Sequence, residues 1–84
     1  MVTERYIFPE RLKELRTREH ISGRTLSELI GLSNGTVSRY ERGEREPGAR
    51  VIVRLAEFFG VSTDYLLGAN SPPIGPGAGA PGRP

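Results

Sequence analysis

Between residues 8 and 68 the apolar side chains recur at helical spacing, and one local arrangement occurs three times: an apolar residue, a serine, three further residues and a second apolar residue. The copies are Ile21-Ser22 with Leu26, Leu32-Ser33 with Val37, and Val61-Ser62 with Leu66. A serine hydroxyl so placed accepts from amides that the first helical turn leaves unpaired, and the flanking apolar pair staples the entering chain. Helices are therefore expected to begin at Ser22, Ser33 and Ser62. Gly31, Gly43, Gly60 and Gly68 each follow a run of helical spacing and suit the left-handed conformation that ends a helix.

Two more helices complete the pattern. Pro9 suits a first helical position, and Leu12 with Leu15 open an inward stripe that should end near His20. After Pro47, Ile52, Leu55, Ala56 and Phe59 keep an inward rhythm while Arg50, Arg54 and Glu57 face away. Val51 to Val53 is β-prone by composition, but its flanks assign it to helix. Val51 and Phe58 lie on the flank of this fourth helix, where extra core packing and a dimer contact are both open. The expected class is all-α, with five short helices.

The stretch 69–84 consists almost wholly of Pro, Gly, Ala, Ser and Asn. It offers too few apolar groups to pack a core, so a disordered tail or linker is expected. The expected organisation is then an N-terminal arm over 1–8, a helical domain over 9–68 and this tail over 69–84, through which a further domain of a longer parent or a protein partner is an open expectation. An 84-residue chain has room for one domain. With no cysteine there is no disulfide framework, and with neither a signal-peptide pattern nor an apolar run near the ~20 residues that span a bilayer, a cytoplasmic protein without a membrane segment is expected. The net charge of +2 does not by itself point to nucleic acid, so arrangement has to carry the argument.

Ile30-Gly31-Leu32 is too short for anything but a tight corner between the second and third helices, which must cross steeply. Leu26, Ile30, Leu32, Val37 and Tyr40 form an inward set for that corner. The opposite side of the third helix carries Gly35, Ser38, Arg39 and Arg42, with Asn34 at its start. Asn34 has the donor and acceptor pair that matches adenine, Arg39 the fork that matches guanine O6 and N7, and Gly35 permits close backbone approach. From periodicity alone, a solvated face on which Gly35 weakens the helix by up to ~1 kcal/mol remains equally open.

The segment Ser22 to Gly43, SGRTLSELIGLSNGTVSRYERG, resembles the helix-turn-helix of the phage repressor and Cro-like (XRE) family, and the likeness runs through KELR before it and EREP, LAEFFGVS and DYLLG after it. The resemblance implies a five-helix, lambda-repressor-like domain that binds double-stranded operator DNA, usually as a homodimer, to control transcription, with no cofactor. It implies base reading by Asn34, Gly35, Thr36, Ser38 and Arg39. Phosphate contacts are expected at Ser22, Gly23, Arg24, Ser33, Arg42 and Arg45. It further implies that Arg16 pairs with Glu41 and sets the angle of the third helix. Three positions depart from the family pattern. Gly23 replaces a Gln that braces the third helix, Ser27 replaces a small Ala at the helix crossing and needs a partner such as a carbonyl one turn back, and His20 replaces a helix-ending Gly.

Enzyme chemistry finds no support. His20 is the single histidine and has no cysteine beside it, so neither a metal site nor a His-based nucleophile system is expected. Glu41, Glu44 and Glu46 alternate with Arg42 and Arg45, the mark of a solvated loop more than of paired catalytic carboxylates. The competing reading is a protein-interaction module, such as an antitoxin or a peptide-sensing regulator subunit.

Overall fold

The computed structural model describes residues 6–69. Five helices follow one another: α1 (Phe8–Arg18), α2 (Gly23–Ile30), α3 (Thr36–Glu41), α4 (Ala49–Phe59) and α5 (Thr63–Leu67), with no strand among the described residues. Two of the three serines act as expected. Ser22 Oγ accepts from the Thr25 amide at 3.0 Å, and Ser62 Oγ accepts from the Tyr65 amide at 3.0 Å. Ser33 does not. Gly35, with φ +88°, occupies the cap of α3, and the Thr36 amide reaches the Ser33 carbonyl at 3.1 Å instead of its hydroxyl. The left-handed residue turns the chain immediately before the helix, so the cap falls at Gly35 and the first turn starts two residues later than a Ser33 cap implied.

Gly31, Gly43, Gly60 and Gly68 all take positive φ at or just beyond helix ends, and His20 adopts φ +60° after α1. Phe8, placed in the arm by the sequence reading, instead opens α1 and is fully buried, because its ring fills the space against Tyr40, 5.9 Å away centre to centre and edge on. Residues 1–5 of the expected arm and 70–84 of the expected tail lie outside the described residues.

All five helices contribute to one core: Phe8, Leu12 and Leu15 from α1, Leu26 and Ile30 from α2, Val37 and Tyr40 from α3, Ile52, Leu55 and Ala56 from α4, and Leu66 from α5. Val51 packs against this core, while Phe58 stays exposed with its ring edge on to Phe59. α1 and α5 are clasped by Arg11, whose guanidinium lies over the Tyr65 ring, 3.9 Å from its centre, and donates to the Tyr65 carbonyl. Gly68 closes the domain against Ile7, so the first and last described turns meet.

Candidate nucleic-acid interface

The corner that presents α3 is fixed from three sides. α2 stops at Gly31 (φ +85°), with the Leu32 amide bonded to the Ser27 carbonyl at 2.7 Å and the Gly31 amide to Glu28 at 3.1 Å. From α4, Arg54 Nη1 donates to the Ile30 carbonyl at 3.1 Å and satisfies the end of α2. Inside the corner, Ser27 is fully buried and its Oγ accepts from the Val37 amide at 3.2 Å. The partner is thus an amide of the next helix and not the carbonyl one turn back that the sequence suggested. The physical reason is demand: α3 begins without a side-chain cap, so its early amides need an acceptor from elsewhere.

The far end of α3 is held by α1. Arg16 Nε donates to Glu41 Oε2 at 2.7 Å and Nη2 to Oε1 at 3.0 Å, while Nη1 donates to the Ile21 carbonyl at 3.0 Å. Both side chains are largely covered, at 19% and 11% exposure, and the two-point geometry is the strong form of this pair. The hydrogen bond to Glu41 raises the hold of Arg16 on its proton.

Held in this way, α3 turns Arg39 to solvent and the turn before it exposes Asn34, with Gly35 and Ser38 half-buried beside them. Thr36 departs from the expectation. It is 4% exposed, because a helix that starts at Thr36 puts Thr36, Val37 and Tyr40 on its inward side, and its side chain is not offered to a base edge. The start of α2 joins the same surface, since a Cβ on Gly23 would lie 3.4 Å from Ser38 Oγ. Ser22, Arg24 and Ser33 are exposed around it, with Arg24 Nε 3.7 Å from Glu28 Oε2.

Arg39 and Arg45 are exposed and make no ion pair among the described residues. Arg42 is also exposed, but its guanidinium is engaged: Nε donates to Glu44 Oε2 at 2.8 Å and Nη2 to Oε1 at 3.1 Å. The hydrogen bond from Arg42, with the nearby charges of Arg42 and Arg39, holds the Glu44 carboxyl below the usual range. Sequence reasoning missed this pair; the available signal was the left-handed Gly43 between the two residues, which folds one back towards the other.

No group of three or more His, Cys, Asp or Glu side chains among the described residues is arranged to hold a metal ion, and no described helix is long and apolar enough to cross a membrane. The surface presents amides, hydroxyls, a carboxamide and guanidinium groups around a short helix, with Glu28 and Glu44 paired to two of the arginines, a donor-rich set suited to nucleic acid.

Residues 12–66 match the Helix-turn-helix family model. The chain is 36% identical over 61 residues to the SPbeta prophage-derived HTH-type transcriptional regulator YonR of Bacillus subtilis (strain 168), covering 73% of this chain and 56% of that protein. It also resembles the crystal structure of the P22 c2 repressor in complex with synthetic operator 9T, with a TM-score of 0.67 and 33% identity over 71% of this chain and 91% of the other. A crystal structure of a transcriptional regulator from Listeria innocua matches with a TM-score of 0.75 and 29% identity, over 82% of this chain and 64% of the other. The chain spans about half the length of the YonR relative. With the five-helix fold, the short α2–α3 corner closed by Gly31 and a family match over most of its length, the chain belongs to the helix-turn-helix family of phage repressor and Cro-like (XRE-type) regulators.

Proposed function

We propose that this chain is the DNA-binding domain of a transcriptional repressor, which occupies a two-fold operator with α3 in the major groove of double-stranded DNA. The observation that carries the reading is the outer face of α3. Asn34 and Arg39 are exposed, with Ser38 half-buried between them, while both ends of the helix are pinned, by Ser27 at one and Arg16 at the other. Arg39 reads guanine through its fork and Asn34 reads adenine, with Gly35 letting the backbone approach. The start of α2, at Ser22 and Gly23, supplies phosphate contacts through its amides, and Arg24, Ser33, Arg42 and Arg45 extend that contact along the backbone. The P22 c2 relative, whose structure contains a synthetic operator, supports the choice of duplex DNA.

One recognition helix buries too little surface for tight binding, so two copies act on half-sites about one helical turn apart. The test is selection from a randomised duplex library at near-physiological salt, followed by titration of wild type and Arg39→Ala against the winner and a scramble. A roughly palindromic motif bound ~10³-fold better than the scramble, and lost on Arg39→Ala, is the expected result. Binding to a polypeptide that survives Arg39→Ala, with no duplex selected, would replace this reading with that of an interaction module.

A further inference from the structure

Arg42 closes α3 and belongs to the arginines placed to meet the DNA backbone, yet in the free protein its fork is already filled. The Glu44 carboxylate receives two parallel N–H bonds from it, at 2.8 and 3.1 Å, the arrangement with which a guanidinium grips two phosphate oxygens. The placement of Glu44 is built by the backbone. Gly43, at φ +74°, reverses the chain after α3, and the Glu44 amide donates to the Arg39 carbonyl at 2.9 Å. Glu44 is thereby tied to the same turn that carries Arg39, and both partners of the ion pair stand on the surface beside the proposed DNA-facing residues.

We propose that Glu44 is an intramolecular stand-in for a DNA phosphate, which occupies Arg42 in the free protein and is exchanged for a backbone phosphate on binding. The inference rests on the DNA-binding reading above and adds a residue that governs it. Exposed ion pairs are weak and screened by salt, so this one gives way to a phosphate whose neutralisation also releases condensed counterions. After the exchange Glu44 remains as a carboxylate among phosphates and opposes the complex. Glu44 thus holds down the sequence-independent part of the affinity and leaves proportionally more of it to base contacts. Arg42 is a conditional phosphate ligand, whereas Arg39 and Arg45 make no ion pair among the described residues.

The experiment is fluorescence anisotropy on the full 84-residue chain with a random-sequence duplex over a salt series, for wild type, Glu44→Gln, Arg42→Gln and the double variant. Circular dichroism shows whether each is folded. Glu44→Gln should tighten binding about 3- to 10-fold, because no ion pair has to be broken, and leave the slope of log K against log salt close to that of wild type, since Arg42 meets one phosphate in both; Arg42→Gln should flatten that slope by ~0.9. In the Arg42→Gln background Glu44→Gln should give a clearly smaller gain and no further change in slope. An equal gain with and without Arg42, or none in either, overturns the proposal while leaving DNA binding intact. Absence of binding by all four proteins overturns the DNA-binding reading and this proposal with it.

Discussion

The hydroxyl of Ser27 on α2 accepts the Val37 amide in the first turn of α3, across 3.2 Å of fully buried interior. α3 is six residues long, has no side-chain cap at its start and is too short to hold together unaided. Its start is therefore supported from the preceding helix, and the stability of the reading element depends on the crossing of the two.

Ser27→Ala should leave the Val37 amide without its acceptor inside the corner. The expected loss is about 1–3 kcal/mol in urea denaturation, with an unchanged m-value. A loss under about 0.5 kcal/mol would mean that the amide finds another partner.

Arg16 and Glu41 should show coupling in a double-mutant cycle built from Arg16→Gln and Glu41→Gln, because their two hydrogen bonds are mostly shielded from water. A coupling of about 1–2 kcal/mol is expected by denaturant unfolding. If the pair also sets the angle of α3, the single variants lower the ratio of specific to scrambled duplex affinity, which a purely stabilising pair would leave alone.

Gly43 and Gly68 both take positive φ but differ in surroundings. A Cβ on Gly43 meets nothing within 4 Å, whereas one on Gly68 would fall 2.7 Å from Ile7 Cγ1. Thermal denaturation of the two alanine variants should therefore separate them. Gly43→Ala should cost about 1–2 kcal/mol from the left-handed backbone alone. Gly68→Ala adds overpacking against a β-branched side chain and should cost about 2–5 kcal/mol.

The Glu44 carboxyl should titrate below the ordinary glutamate value when followed by NMR of its side-chain carbon, and return towards it in Arg42→Gln. Because the folded value is depressed, the contribution of the pair is present above the unfolded pKa and is lost as pH falls through the folded one. Glu44→Gln should accordingly flatten the acid limb of the stability curve.

Much of this architecture was legible from local rules. Ser22 and Ser62 are caps because an extended serine before an apolar turn has little else to do, and the four glycines end helices because a Cβ there is strained. The start of α3 was not legible, since Leu32-Ser33 with Val37 obeys the same pattern and only the left-handed Gly35 diverts it. That shift of phase also buries Thr36. The partners of Ser27 and Arg42 were missed for a related reason. Each of these two residues sits where sequence neighbours offer a plausible role, but the partner that decides its role, Val37 or Glu44, is supplied by a corner or a reversal that periodicity does not describe.

The meeting of Ile7 with Gly68 gives the helical unit a single point of attachment: chain that enters and chain that leaves do so at one corner, away from any need to thread the core. Such a unit behaves as a cassette. Bridging residues 7 and 68 with a short flexible linker and opening the chain between Glu46 and Pro47 should yield a circular permutant with the same helices, because the loop that is cut is exposed at Glu46 and contributes no side chain to the core.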